Sequence, residues 1–379
     1  MKVALVYDRI NKWGGAERVI IALRKMFPNA PLFTSVYRKD RASWAKKIPV
    51  TASFLQKVPF ASGFHEGFAP LMPLAFESFS FDEFDLVISV TSEAAKGIIT
   101  KPATKHISLI LTPTRYLWSG YRDYFPNIFL RIIAWPVVAY LRFWDRLAAR
   151  RPDRLIAISS TVQARIKKYY GLDSEIAYPP LMIKTRLTRK GNGARIEGGL
   201  RKTSPNNDTG FVTEKRSTKN YFLVVSRLVA YKRIDIAVRA ANKLHAPLKI
   251  IGTGSEFARL KKMAGPTVEF LSYVTDADLK YYYTNCRALL FPGVEDFGLT
   301  MVEAQAFGKP IIAYRGGGAE EIILEGKTGK FFEKQNAQSL AEVLKKFRPG
   351  RYNSKACRKN AGRFSFEQFE KKILLTIND

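Results

Sequence analysis

Two glutamates in the second half of the chain have a spacing that could serve sugar binding. Glu295 follows an apolar run that predicts a strand, and Glu303 falls in the early turns of a helix predicted to begin near Leu299. A carboxylate on the loop can accept hydrogen bonds from sugar hydroxyls, and one on the helix can take both hydroxyls of a ribose. Backbone N–H groups free to donate to a sugar or phosphate belong to Phe297, Gly298 and Leu299. The spacing by itself is more typical of a solvated helix face, so the hypothesis depends on the surrounding residues.

Two basic residues, Arg227 and Lys232, lie where another predicted strand is followed by a helix. Ligands of open parallel sheets bind at the carboxyl ends of the strands, where this pair is expected to lie. Two fixed cations there can offset the charge of a nucleotide diphosphate leaving group, as a magnesium ion does elsewhere. The pair therefore predicts a diphosphate site without a metal, although isolated basic residues are ordinarily surface charge.

Gly14 and Gly15 lie between the first predicted strand and the helix that follows it. Glycines at this junction let backbone N–H groups approach a phosphate at the positive end of the helix dipole. A tight turn with no ligand is an equally good interpretation of the pair alone. Because the GxGxxG pattern of dinucleotide-binding proteins is absent from the sequence, no dinucleotide cofactor is predicted.

The elements that must position these residues alternate between buried strands and helices. Continuous apolar runs separated by helical patterns are typical of parallel sheets covered on both faces. In the first half the predicted strands are 3–7, 86–90, 107–111 and 155–158, with a helix over 16–27; in the second half they are 221–226, 248–251, 268–271, 288–291 and 311–313. The sequence therefore predicts an α/β protein with two separate parallel sheets.

The predicted organisation is a first domain over residues 1–180, a second over 181–355 and a C-terminal helix over 356–379 that packs back toward the first. Segment 184–219 is strongly basic and lacks apolar periodicity, which predicts a flexible insertion. A solvated loop without a role is the simplest interpretation of it, and a loop that touches lipid is the alternative. The apolar stretch 128–149 is interrupted by charged residues and is not predicted to cross a membrane.

The net charge of +29, from 62 basic and 33 acidic residues, requires a polyanionic neighbour. The sequence has no RNA-binding aromatic signature and no zinc-finger spacing, so an anionic membrane surface and a diphosphate ligand are favoured over nucleic acid. Two cysteines cannot form a disulfide framework, and the N-terminal apolar run is too short for a signal peptide. These features predict a cytoplasmic protein.

Several segments resemble the retaining glycosyltransferases of family 4, and within them the mannosyltransferases of O-antigen and exopolysaccharide assembly. The resemblance covers most of the chain outside the insertion, and its motifs include 112–118 (TPTRYLW), 226–233 (SRLVAYKR) and 295–299 (EDFGL). It implies a GT-B fold, in which two Rossmann-like domains face a central cleft. It also implies transfer of a hexose, with GDP-mannose as the first candidate donor, to a lipid-linked saccharide at the inner face of the cell membrane. No cofactor and no metal are implied.

The resemblance also implies a role for each site residue. Arg227 and Lys232 would hold the diphosphate and Glu295 the donor sugar, and these three form the predicted catalytic set. Glu303 would bind the ribose. Gly14 and Gly15 would face the transferred group.

The acceptor side departs from the family pattern at one position. The predicted acceptor-side residues are Thr112 and Arg115, but Leu111 stands where the subgroup usually has a histidine. His106 is a candidate substitute, with a purely structural histidine as the alternative. Two other functions therefore stay open: a sugar phosphorylase-type enzyme of the same fold, and an inactive nucleotide-sugar-binding relative that serves as an assembly subunit.

Overall fold

The computed structural model describes residues 1–61, 63, 65–183, 220–272 and 274–379. The predicted insertion at 184–219 lies outside the described residues. The described chain folds around two separate sheets, and every strand pair in both sheets is parallel. The predicted α/β class with two parallel sheets is therefore confirmed.

The first sheet has seven strands in the order β3-β2-β1-β4-β5-β6-β7. Their bounds are β1 Val3–Tyr7, β2 Leu32–Thr34, β3 Val50–Ala52, β4 Leu86–Thr91, β5 Lys105–Ile110, β6 Arg154–Ala157 and β7 Glu175–Ile176. Every residue of β1 and β4 is buried, as expected for central strands covered on both faces. The order reverses between β1 and β4, which opens a crevice at their carboxyl ends.

The second sheet has six strands in the order β10-β9-β8-β11-β12-β13. Their bounds are β8 Phe222–Val225, β9 Leu248–Ile251, β10 Val268–Leu271, β11 Ala288–Phe291, β12 Ile311–Tyr314 and β13 Gly329–Phe332. The order reverses between β8 and β11. The loops that follow these two strands carry the predicted diphosphate and sugar residues, so both lie at the switch point where ligands of such sheets bind.

Helices alternate with the strands of both sheets. Those of the first half are α1 Gly15–Met26, α2 Met72–Glu77, α3 Tyr121–Tyr124, α4 Ile128–Ala148 and α5 Ser160–Tyr170. Those of the second half are α6 Ile234–Leu244, α7 Phe257–Met263, α8 Asp276–Asn285, α9 Leu299–Ala306, α10 Ala319–Ile322, α11 Ala337–Lys346, α12 Ser354–Ala361 and α13 Phe366–Asn378. None of the helices in the described ranges combines the length and the apolar composition that crossing a bilayer would require.

The end of the chain contacts elements of the first sheet. In α13, the hydroxyl of Thr376 donates to Glu175 of β7 at 3.1 Å, and Lys372 forms an ion pair with the same carboxylate. The Lys105 amine at the start of β5 donates to the carbonyl of Ile377 at 2.7 Å. These contacts place the last helix against the first half of the molecule.

Candidate active site

A cavity of about 730 Å³ lies between the carboxyl ends of the two sheets. Both halves of the chain line it. The predicted site residues that line it are Gly14, Gly15, Thr112, Arg115, Arg227, Lys232, Glu295, Phe297, Gly298 and Leu299. The predicted site residues Glu303 and His106 are not part of its lining.

Lys232 lies at the end of a short 3₁₀ turn after β8, and its amine contacts the carboxylate of Glu295 from the loop after β11. Burial, and after it the nearby guanidiniums of Arg227 and Arg115, lower the pKa of Lys232 to about 7. Contact with the Glu295 carboxylate favours the charged amine and opposes this shift. A diphosphate placed beside Lys232 would also favour the charged form.

Tyr231 contacts three cations at this site, one through its hydroxyl and two through its ring. Arg227 donates to the Tyr231 hydroxyl at 2.7 Å, and the Lys232 amine lies 5.0 Å from the ring centroid. The guanidinium of Arg115, from the other half of the chain, lies 5.3 Å from the same ring. The negative face of an aromatic ring stabilises cations without neutralising them. The cluster can therefore bind a polyphosphate with little rearrangement.

Glu303 is only 1% exposed and lies behind the cavity wall on α9. The hydroxyl of Tyr283 donates to its carboxylate at 2.8 Å, and Arg18 of α1 forms an ion pair with it from the first half of the chain. These two partners fix the carboxylate in one orientation. Neither partner could be predicted from the sequence, because both are distant from Glu303 along the chain and neither belongs to a motif.

The start of α9 and the start of α1 face each other across the cavity. A Cβ atom placed on Gly15 would lie 3.5 Å from Cδ1 of Leu299. Gly298, which precedes α9, has a φ of +99°, a conformation that favours glycine. Two helix N-termini therefore approach one space, and both present backbone N–H groups to it.

Asp296 connects the two halves of the chain across the cavity. Arg115 donates to one of its carboxylate oxygens at 2.5 Å, and Arg165 of α5 forms an ion pair with the other. Asp296 and Arg165 were not predicted as site residues. The available signal was the position of Asp296 directly after Glu295 in the loop; the partners of its carboxylate could only be found in three dimensions.

The structure places His106 away from the cavity. It lies near the start of β5, at the opposite end of the strand from the carboxyl-end crevice, and it is fully buried. Its Nε2 lies 2.9 Å from the hydroxyl of Ser89, and burial lowers its pKa to about 3. His106 is therefore a neutral structural histidine that cannot reach a ligand in the cavity. Leu111 and Thr112, at the other end of the strand, do line it.

Residues 206–364 match the family described as Glycosyl transferases group 1. O-antigen chain mannosyltransferase C of Escherichia coli is 27% identical over 233 residues, which are 58% of this chain and 61% of that protein. A GDP-mannose-dependent alpha-(1-6)-phosphatidylinositol monomannoside mannosyltransferase of Mycobacterium tuberculosis is 26% identical over 230 residues, 56% of this chain and 57% of its own length. The chain spans about half the length of the curated relatives it matches.

Solved structures that resemble the whole chain include Anabaena Alr3699/HepE and WaaG. Anabaena Alr3699/HepE in complex with UDP-glucose superposes with a TM-score of 0.68 at 16% identity, over all of both chains. WaaG, a glycosyltransferase involved in lipopolysaccharide biosynthesis, gives 0.66 at 15% identity over 98% of each chain. At such identities the likeness establishes the fold, which is the GT-B arrangement of these glycosyltransferases.

Proposed function

We propose that this protein is a retaining, metal-independent glycosyltransferase that moves a hexose from a nucleotide sugar to a saccharide acceptor. The main observation behind this proposal is that one cavity contains Glu295, two helix N-termini and the cation cluster formed around Tyr231 by Arg115, Arg227 and Lys232. This set offers positive charge for a diphosphate, a carboxylate for sugar hydroxyls and backbone donors for the transferred group. The match of residues 206–364 to the group 1 family supports the same class.

The donor would bind with its diphosphate on Arg227 and Lys232. The sugar hydroxyls would then take the place of Lys232 as partners of Glu295, so that donor binding separates the ion pair seen in the structure. Because Glu303 is buried behind the cavity wall, it would bind the ribose only where donor binding uncovers it. An ionised carboxylate has about four acceptor sites, so Tyr283 could keep its hydrogen bond and hold Glu303 in position.

Transfer with retention needs no protein nucleophile in this arrangement. The acceptor hydroxyl attacks the anomeric carbon from the face that the diphosphate leaves, and the bond from that carbon to the phosphate oxygen breaks. The departing phosphate oxygen takes the proton of the acceptor hydroxyl. Lys232 and Arg227 stabilise the negative charge that develops on the leaving group, and preorganised charges of this kind contribute strongly to catalysis.

The finer assignment is mannose from GDP-mannose, transferred to a lipid-linked saccharide at the cytoplasmic face of the cell membrane. The two relatives named mannosyltransferases support this donor. The net charge of +29 supports a site of action beside anionic lipid. Thr112 and Arg115, on the first-sheet side of the cavity, are the proposed acceptor-side residues.

Thermal unfolding with a panel of GDP-, UDP- and ADP-sugars, without added metal, tests the donor site. One nucleotide class should raise the melting temperature of the wild type by a few degrees at saturating concentration. Glu303→Gln should lose that rise, and the exposed-site control Glu320→Gln should keep it. A wild type that none of the sugars stabilises would contradict the proposal, as would an unchanged rise in Glu303→Gln.

Leu111 in the cavity wall favours one alternative, a protein that binds the nucleotide sugar without transferring the sugar. A leucine there can neither donate nor accept the hydrogen bonds that a histidine beside the reacting groups would make. Donor binding without product, together with product formation by Leu111→His, would identify this alternative. Product formation by the wild type would exclude it.

A further inference from the structure

Helix α4 presents a large apolar surface to solvent. The exposed fractions of Ile133, Phe129 and Phe143 are 76%, 70% and 66%. The other large exposed apolar residues of this helix are Ile128, Leu130, Ile132, Trp135, Val137, Tyr140 and Leu147. Apolar side chains scattered singly over a surface are ordinary, but a contiguous set on one element marks an interaction site.

The outward apolar residues follow the helical repeat. Phe129, Ile133, Tyr140, Phe143 and Leu147 recur at steps of three, four or seven residues and so share one face. The buried residues of α4 all belong to its second half and are Val138, Leu141, Trp144, Asp145 and Ala148. No residue of α4 before Val138 is buried, so the protein covers the helix only along one side of its second half.

A buried carboxylate fixes which face points outward. Asp145 accepts hydrogen bonds from the Thr114 hydroxyl at 2.9 Å, the Trp118 indole at 2.7 Å and the Tyr170 hydroxyl at 2.8 Å. The Lys96 amine forms an ion pair with it at 2.5 Å. Rotating α4 to bury the outer face would break all four contacts and leave two charges unpaired in the interior, which is strongly unfavourable. The exposure of the apolar face is built into the fold.

Basic residues and interfacial aromatics flank this face. Arg146 and Arg150 are exposed at the C-terminal end of α4, and the helix has no acidic residue besides the buried Asp145. Trp135 and Tyr140 combine an apolar body with a polar tip, the property that places these residues at membrane–water boundaries. Apolar residues on one face with arginine at its edge are typical of helices that lie in the plane of a membrane surface.

We propose that the outer face of α4 inserts into the interfacial layer of a membrane that contains anionic phospholipid. This inference deepens the proposed function and rests on it for the idea that the acceptor is lipid-linked. A second copy of the chain is a less favourable partner for this face. Pairing two α4 helices would bring together two molecules of charge +29 and the arginines of both helices, and α4 has no exposed carboxylate that could offset this repulsion.

The position of α4 connects the membrane to the cavity. Tyr116, which lines the cavity, packs with Tyr121 and Phe125 against Val138 and Leu141 on the inner side of α4. Tyr124, in α3 immediately before α4, also lines the cavity and is exposed. A lipid-linked acceptor anchored beside α4 would therefore meet the first-sheet side of the cavity.

The test is flotation of the full chain with vesicles of phosphatidylglycerol and phosphatidylcholine, and with vesicles of phosphatidylcholine alone. The wild type should bind the anionic vesicles, and more weakly at high salt. Ile133→Gln/Phe143→Gln should bind about 10-fold or more weakly, because two side chains lose their transfer into lipid. Arg146→Gln/Arg150→Gln should lose about 10-fold on anionic vesicles and little on neutral ones.

The matched control is Ile99→Gln/Leu375→Gln, which removes two exposed apolar side chains outside α4 and should bind as the wild type does. Equal binding by the α4 variants and the wild type, or no binding by the wild type, would overturn the inference. The inference would also be overturned if the wild type sedimented as a dimer and the α4 substitutions converted it to a monomer without changing vesicle binding. Donor-induced stabilisation, measured on the same variants, is independent of these outcomes and reports separately on the proposed transferase.

Discussion

At the scale of single residues, the site is organised around three cations that contact Tyr231. Two of them have a carboxylate partner in the described ion pairs, Lys232 with Glu295 and Arg115 with Asp296, whereas Arg227 donates to the Tyr231 hydroxyl. Like charges held this close repel each other, and an anionic ligand relieves that repulsion. Part of the affinity for a diphosphate would therefore come from relief of the repulsion among these cations.

Lys232→Ala should lower turnover by about 100-fold or more, because the loss of one preorganised charge on a leaving group typically has that effect. Product formation from the donor identified by thermal unfolding measures it. The exposed Lys334→Ala is the matched control and should keep wild-type turnover. Wild-type turnover in Lys232→Ala would remove the leaving-group role from this residue.

Donor binding should take up a proton above neutral pH. Lys232 has a pKa lowered to about 7 by burial and by two guanidiniums, so in the free protein its amine loses its proton as the pH rises through that value. A bound diphosphate favours the charged amine and raises the pKa again. Affinity should be greatest below the free-protein pKa and should fall by up to about tenfold per pH unit above it.

Calorimetry in buffers of different ionisation enthalpy measures this proton. About one unit above the pKa, the wild type should take up most of one proton, and about one unit below it almost none. Glu295→Gln removes the carboxylate that opposes the shift, so it should take up more protons near neutral pH than the wild type does. Heats of binding that do not depend on the buffer at the higher pH would show that Lys232 stays charged throughout.

At the scale of elements, the site depends on how strands end and helices begin at the two switch points. Gly298 is the clearest case, because its φ of +99° turns the chain from the Glu295 loop into α9. A Cβ atom at this position would also collide with the side chain of Met301 and lie 3.2 Å from the ring of Phe291. Glycine is thus required there both for conformation and for space.

Gly298→Ala should lower the free energy of unfolding by about 2–4 kcal/mol, with roughly 1 kcal/mol from the left-handed backbone and the rest from overpacking. Gly326→Ala is the matched control, since Gly326 has a φ of +76° but no heavy atom within 4 Å of the added Cβ. It should cost about 1 kcal/mol. Urea denaturation compares the two, and equal losses would mean that α9 yields to the added methyl group.

Strands with at least three apolar residues could be predicted from the sequence, and strands with fewer could not. The predicted bounds of β1, β9, β10 and β11 coincide with those of the structure. In contrast, β2, β3, β7 and β13 have two to four residues each and were not predicted. These four strands have only one or two apolar residues each and are defined by hydrogen bonds to a neighbouring strand, so no apolar pattern in their own sequence identifies them.

The site shows the same limit. The sequence motifs named the residues that line the cavity, since those stand beside glycines at strand ends. The motifs could not identify Arg18, Arg165 or Tyr283. Each of these is a single polar residue on a helix, and each contributes to the site only by contacting a carboxylate that is distant along the chain. His106 shows the reverse error, in which proximity along the sequence suggested a site that the direction of β5 excludes.

At the scale of the whole molecule, two carboxylates of the second half hold the first half in place. Asp296 pairs with Arg115 and Arg165, and Glu321 accepts hydrogen bonds from the backbone of Ser160 at the start of α5. Both contacts cross the boundary between the sheets, and Asp296 belongs to the loop that also carries Glu295. The closure of the cavity is therefore coupled to the position of the donor-binding loop.

Asp296→Asn should loosen this closure, because the two arginines lose their shared charge partner while the side-chain shape is kept. The cost should be about 1–3 kcal/mol, less than for a fully buried pair since both arginines are partly exposed. Faster amide hydrogen exchange at residues 295–298 and a larger radius of gyration in X-ray scattering should follow. The control Asp173→Asn breaks only the exposed pair with Lys167 and should change neither. If exchange at 295–298 stays as slow as in the wild type, the remaining contacts, among them Arg18 with Glu303, are sufficient to keep the cavity closed.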